Sequence, residues 1–289
     1  MKVITIATDL ANNFLQRLLI PSCHAAGLDL VILHPTRPLE TLKDKRTIVT
    51  SYLTGNGSPP DELVLFTDAY DTLFLHGEEY IRERCERFAQ GVVFSAELNS
   101  WPLGTLGFLL QDNPVRPYPY LNSGGFVGPA SDLLALLTKY PVPPSDHFPL
   151  VRQLRAHDFD VDQRFGFSDQ YYWVLVQLVE PELVGVDHHA VLFENYAPPV
   201  GDVWSREFRS AVSDFQARGV ESDSYRRERA RLVELLRSPS DAAQVHFGSP
   251  ITKAVVLDLL AEELLPGWLC APLSSRPGQP SVQVQEIRY

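Results

Sequence analysis

Two carboxylates three positions apart, Asp68 and Asp71, follow directly on the apolar run Leu63-Val64-Leu65-Phe66 and Thr67. Four successive apolar residues read as a strand buried on both faces, and open α/β sheets gather their ligands outside the carboxyl ends of such strands. Carboxylates brought close by a tight turn repel each other unless a cation lies between them, and hard divalent ions prefer oxygen donors. The chemistry this predicts is a metal that holds a diphosphate. The same two residues also suit turn and cap roles ahead of a helix near Gly77, since aspartate is common in both.

The elements around this pair read as an alternation of strands and helices, the signature of an α/β sheet. Val3–Ala7, Leu30–Leu33, Leu63–Phe66 and Val92–Ser95 are predicted strands, with helices over Asn12–Ala26, Leu39–Leu53 and Glu78–Gln90 between them. The run Gly55-Asn56-Gly57-Ser58-Pro59-Pro60 stops the second helix. Farther on, Leu121–Gly128 places polar and glycine residues where the chain turns back into a strand, and Ser131 then caps a leucine-rich helix. Ser168 caps a helix to Val179, Val184–Phe193 reads as a hairpin-like pair, and Pro198–Arg237 is charged and peripheral with a helix over Tyr225–Leu236. Gln244–His246 reads as a short strand and Ile251–Leu264 as a helix.

Composition narrows the classes. A chain of 289 residues with 45% hydrophobic and 21% charged residues fits a folded, water-soluble protein of one large or two small domains. Acidic residues outnumber basic ones 36 to 25, a net charge of −11, which disfavours diffuse attraction to nucleic acid or an anionic membrane. A phosphate-bearing ligand therefore needs a local site. Cys23, Cys85 and Cys270 are widely spaced, odd in number and without a CxxC pair, so they read as buried thiols, not disulfides or zinc ligands. No basic and apolar leader opens the chain and no run approaches the ~18 apolar residues of a membrane helix, which predicts a cytoplasmic location and no membrane partner.

Six segments in order extend the acidic pair: Val3-Ile4-Thr5-Ile6-Ala7-Thr8, Thr67-Asp68 with Asp71, Phe94-Ser95-Ala96-Glu97 with Trp101-Pro102, Tyr120-Leu121-Asn122-Ser123-Gly124-Gly125-Phe126, Ser168-Asp169-Gln170, and Val245-His246-Phe247-Gly248-Ser249-Pro250-Ile251-Thr252-Lys253. Together, over roughly residues 3 to 255, they resemble the glycosyltransferase domain of the procollagen lysyl hydroxylase (PLOD) family, and more loosely the collagen galactosyltransferases. The resemblance implies a GT-A fold, with a Rossmann-like, mostly parallel central sheet flanked by helices. It also implies Mn²⁺, with Mg²⁺ as a substitute, and UDP-glucose or UDP-galactose as donor. Carried over residue by residue, Asp68, Asp71 and His246 would ligate the metal. Gly248 would let the backbone approach phosphate, and Lys253 would set a positive charge on it at a helix start. Thr5 would contact uridine, Tyr70 would stack on uracil or bond the ribose, and Lys45 would stand on the donor side. Trp101 would line the sugar or acceptor pocket. Asn122, Asp169 and Gln170 would hydrogen-bond the transferred sugar, with Asp169 and Glu97 nominated as catalytic carboxylates.

The sequence departs from the family pattern at Ser100, Ser168, Phe247, Ser249 and Ile251. The domain reading is a single unit over 1–265, in which 1–130 mainly serves the nucleotide sugar and 131–265 mainly the hydroxyl acceptor and the metal-ligand loop, followed by a loosely held tail over 266–289. The expected activity is retaining hexosyl transfer. A catalytically silent UDP-sugar or glycan-binding module is the first alternative. A haloacid-dehalogenase-like hydrolase with Asp68 as nucleophile is the second; it needs an acid two places after Asp68, where Tyr70 stands.

Overall fold

Alternation along the apolar runs decides how they stack. β1 (Lys2–Ile6), β2 (Leu30–Pro35) and β3 (Leu63–Asp68) pair in parallel, with Val3 between Leu30 and Leu65. Successive side chains of a strand point to opposite faces. Ile4, Val31, Leu33, Val64 and Phe66 accordingly join one apolar cluster, and Val3, Leu30, Ile32 and Leu65 join another. Helices Asp44–Gly55, Ala130–Lys139 and Asp169–Val179 cover the first face. Leu15–Ala25 and Glu78–Cys85 cover the second. The computed structural model describes residues 1–55, 59–111, 115–274 and 281–289.

A short β4 (Thr72–Phe74) leaves the sheet after β3, and β5 (Val92–Glu97) and β6 (Tyr120–Pro129) return to it. β6 is antiparallel to both β3 and β5, while β7 (Val184–Val186) is parallel to β5. β8 (Phe193–Asn195) and β9 (Gln244–His246) join β4 in a second sheet of order β4-β9-β8. The main sheet, with β10 (Val282–Ile287) at its edge, runs β10-β2-β1-β3-β6-β5-β7. This is the expected α/β, Rossmann-like arrangement with a mostly parallel sheet flanked by helices. Trp173 locks one face, its ring 4.8 Å from Phe94 and 5.8 Å from Phe126. No helix among the described residues is long and apolar enough to cross a membrane.

Several elements differ from expectation. The first helix opens as a π-turn over Leu15–Leu19, and α-geometry resumes at Ile20, next to Pro21, which has no N–H for the ladder. The second begins only at Asp44, whose carboxylate accepts the Glu40 and Thr41 amides of the turn before it. Residues 56–58 of its predicted stop lie outside the described residues. The third ends at Cys85. Leu121–Gly128 is the interior of one ten-residue strand with a register shift opposite Phe94 and Ser95, and the helix after it starts at Ala130 with Pro129, not Ser131, as its cap.

Val184–Phe193 is no hairpin. β7 and β8 belong to different sheets, and the loop between them closes on buried Asp187, which accepts the amides of Val191, Leu192 and Phe193. Within the expected periphery, Tyr225 and Leu232 are buried under the Pro250–Ala261 helix. The expected loose tail instead supplies the Gly267–Ser274 helix and β10, which completes the edge of β2 over six residue pairs; residues 275–280 lie outside the described residues. Of the three free cysteines only Cys23 is fully buried.

Candidate active site and metal centre

The acidic turn is built from its own hydroxyls. Thr72 Oγ1 donates to the Asp68 carbonyl at 2.6 Å and meets Thr67 Oγ1 at 2.6 Å, which curls the chain so that Asp71 swings back toward Asp68. Pairing of β4 with β9 then sets Thr72 opposite His246, and the Phe247 amide donates to the Asp71 carbonyl at 2.8 Å. A residue 175 positions from Asp71 is thereby fixed beside it. Asp68, Asp71 and His246 each offer one ligand atom, and these atoms all lie within 4.8 Å of one another.

The three residues suit a hard or borderline divalent cation. Two carboxylates and one imidazole suit a divalent cation that takes oxygen and nitrogen donors, not one held by thiolates. Asp71 Oδ1 is buried and accepts no hydrogen bond, with His246 Nε2 at 3.4 Å. Two glycines leave the space open. A Cβ on Gly124 would stand 2.5 Å from His246 Cε1 and 3.1 Å from Asp68 Oδ2, and one on Gly248 3.3 Å from His246 Nε2. Any larger residue at 124 would enter the triad from the floor of β6.

Positive charge converges on the same carboxylates. Lys45 Nζ, from the Asp44–Gly55 helix, lies 2.5 Å from Asp68 Oδ1, and Lys253 Nζ, from the Pro250–Ala261 helix, lies 3.2 Å from Asp71 Oδ2. Burial opposes the charge on Lys45, but Asp68 and Asp169 outweigh it and hold the ammonium above its ordinary pKa. Burial likewise works against ionised Asp71, yet His246 and Lys253 hold its carboxyl well below the usual carboxylate range. Against burial, Asp71, Asp68 and Glu97 raise His246 above the ordinary histidine value. Ser249 caps the Lys253 helix through its side chain to the Ile251 amide, so that helix's N-terminus and Gly248 face the triad together.

Beside the triad, a cavity of about 340 Å³ is lined by Glu97, Trp101, Asn122, Pro198, Val200 and Gly248 among others. Trp101 stacks on Trp204 at 5.4 Å, a partner that no spacing in the sequence announced. Asn122 donates to Glu97 Oε1 at 2.9 Å while its carbonyl accepts the Gly124 amide. Burial, against the bonds from Asn122 and Gln170, pushes the Glu97 carboxyl above the ordinary value, and burial does the same to Asp169 against the pull of Lys45.

Two of the predicted contact residues are engaged in the scaffold's own bonds. Thr5 is fully buried in β1 and its hydroxyl donates to the Thr67 carbonyl at 2.7 Å, a bond within the sheet and not toward the cleft. Tyr70 lies at the carboxyl end of β3, its hydroxyl accepting the Asp9 amide at 2.7 Å beside Thr8. Gln170 is a clip. Its amide donates to Glu97 Oε1 and to the Trp101 and Leu121 carbonyls and accepts the Ser123 amide. Sequence reasoning missed Asn195, which contacts the ring of His246 at Nδ1 from the neighbouring strand.

The fold is a Rossmann-like α/β sheet with an acidic turn at the carboxyl end of a central parallel strand and a histidine-bearing return strand, and the family comparison makes it a glycosyltransferase domain. The family model described as the PLOD GT domain matches residues 1–148, just over half of the chain. The chain belongs to that family. Among curated relatives it is 33% identical over 78 residues to the procollagen-lysine,2-oxoglutarate 5-dioxygenase of Drosophila melanogaster, covering 27% of this chain and 11% of that protein. It is 27% identical to procollagen-lysine,2-oxoglutarate 5-dioxygenase 1 of Pongo abelii, over 52% of this chain and 18% of the relative, and 28% identical to the human type 2 protein, over 50% and 17%. The match therefore spans less than a fifth of each relative's length. Mouse xyloside xylosyltransferase 1 in its apo form superposes with a TM-score of 0.45 at 13% identity, covering 86% of this chain and 97% of that one.

Proposed function

We propose that this domain transfers a hexose, glucose or galactose, from a UDP-sugar to a hydroxyl acceptor, with retention of anomeric configuration and with Mn²⁺ or Mg²⁺ at Asp68, Asp71 and His246. The convergence of those three ligand atoms beside a glycine-lined opening is the observation that carries the reading. A divalent cation there supplies Lewis-acid neutralisation of the departing diphosphate. The chain's own groups do the rest. Lys253, at a helix N-terminus, meets the diphosphate charge, and Gly248 lets backbone come close to it. Lys45, now paired with Asp68, becomes a second donor to an anionic ligand.

Tyr70, anchored on the Thr8–Asp9 loop, presents its ring to the uridine. Asn122 and Asp169 hold sugar hydroxyls, and preorganised bonds of this kind cost no rearrangement at the moment of reaction. Trp101 and Glu97 line the cavity in which an acceptor hydroxyl would approach. The test is a calorimetric and thermal-shift titration with UDP-glucose and UDP-galactose, each with and without Mn²⁺, followed by assay of released UDP. Stabilisation that requires both the ion and a uridine donor is expected, with Asp71→Ala and His246→Ala lowering metal-dependent UDP release by more than ~100-fold. Unchanged turnover in either variant would overturn the metal assignment, and donor binding without UDP release would leave only a binding module.

A further inference from the structure

We infer that Asn195 sets which ring nitrogen of His246 carries the proton, so that filling the metal centre breaks the hydrogen bond between Asn195 and Ala197 in the wall of the neighbouring cavity. The inference rests on the metal reading of Asp68, Asp71 and His246 proposed above.

Asn195 and His246 sit at matched positions of adjacent parallel strands, both 4% exposed. Asn195 Nδ2 lies 3.2 Å from His246 Nδ1. An amide nitrogen can only donate, so Nδ1 must be the acceptor, and a neutral ring then carries its hydrogen on Nε2, the nitrogen that faces Asp71. A protonated nitrogen has no lone pair for a metal. Ligation through Nε2 needs the hydrogen on Nδ1, and metal-bound histidines normally donate that hydrogen to a carboxylate, a carbonyl or water. Here it would meet the Asn195 amino group.

The obvious remedy carries a cost. Turning the Asn195 amide over would offer its oxygen to Nδ1, but that oxygen already accepts the Ala197 amide at 2.8 Å, and the turn would set two donors face to face. A buried donor left unpaired is costly, so one bond is exchanged for the other. Ala197 is not an idle bystander. With Pro198 and Val200 it lines the cavity that also contains Glu97, Trp101 and Asn122. Occupation of the ligand triad is thereby linked to the wall against which an acceptor would rest.

Asn195→Asp separates the two demands, because one carboxylate oxygen can keep the Ala197 amide while the other accepts from Nδ1. Three readouts on the full chain test the idea. Metal-free protein with ¹⁵N-labelled histidine should show the neutral His246 ring protonated on Nε2 in the wild type and on Nδ1 in Asn195→Asp. Calorimetry should show Mn²⁺ bound about tenfold more tightly by the variant, a scale typical of outer-shell partners. Hydrogen exchange read by mass spectrometry over residues 195–200, where Pro198 and Pro199 carry no amide, should speed up on Mn²⁺ saturation in the wild type and stay unchanged in the variant.

The added charge alone could raise affinity, so the tautomer and exchange readouts decide, and their wild-type arms stand even if the variant fails to fold. A wild-type ring protonated on Nδ1, or exchange indifferent to bound metal, would overturn the inference and leave the metal centre intact. A wild-type protein with no affinity for Mn²⁺ or Mg²⁺ would overturn the metal reading and this inference with it.

Discussion

Glu97 is a carboxylate with amide donors and no ion pair among the described residues, held at the end of β5 by Asn122 and Gln170 on a single oxygen. Its raised folded pKa has a definite consequence for stability. As pH rises past the unfolded glutamate value the unfolded chain releases its proton more readily than the folded one, so the folded state loses ground until the folded carboxyl also ionises. Glu97→Gln keeps an oxygen for both donors and never ionises. The variant should therefore gain on the wild type as pH rises above the ordinary glutamate range. Thermal melts at increasing pH check this, and an advantage that shrinks with rising pH would contradict the burial argument. Gly124→Ala acts by space instead. Its methyl would press the His246 ring from 2.5 Å, on a strand that cannot retreat, so overpacking of about 1–3 kcal/mol is expected together with weakened metal binding.

Among elements, the small β4-β9-β8 sheet does most to assemble the site, since it delivers His246 to the acidic turn and Asn195 to His246. β10 does most for the fold's edge. Its six residue pairs cover β2, Ser281 bonds Asp29, and Ile287 packs into the same apolar cluster as Ile4 and Val31. Deleting residues 281–289 would bare the hydrogen-bonding groups of β2 as an open edge, a template for pairing with another chain. A lower melting temperature and a concentration-dependent rise in light scattering are expected; a truncated chain that melts and scatters like the parent would show β10 to be dispensable. The reason such a strand escapes a sequence reading is physical. Val282, Val284 and their neighbours are mostly exposed, so no buried periodicity marks them, and the Pro/Ser/Gln composition before them looks like a tail. The four runs Val3–Ala7, Leu30–Leu33, Leu63–Phe66 and Val92–Ser95 were legible because both faces are mostly apolar. Asp68, Asp71 and His246 were legible as a motif. Asn195 and Trp204 were not, for their meaning comes only from strand register and ring stacking across the chain. Gln170 and Thr5 show what a motif alone does not reveal, that a polar residue inside it can serve the scaffold's own bonds.

For the whole molecule, the net charge of −11 opposes the ligand that the site is proposed to take. A UDP-sugar carries a diphosphate, so the long-range field repels it, while Lys45 and Lys253 attract it only within the cleft. The two ranges respond differently to salt. Repulsion between a charged protein and an approaching anion acts over a Debye length of about 30 Å at 0.01 M ionic strength and about 8 Å at 0.15 M, whereas contacts inside a partly buried site are screened much less. Association of the donor with Mn²⁺-saturated protein should therefore speed up as salt rises over that interval, by a few-fold, with the dissociation rate nearly constant. Stopped-flow tryptophan fluorescence can read both rates, since Trp101 and Trp204 line or border the cavity next to the triad. An association rate that falls with salt would mean that local lysines and the bound ion, not the net charge, govern the approach, and Lys253→Ala would then slow association at low salt instead of only hastening dissociation.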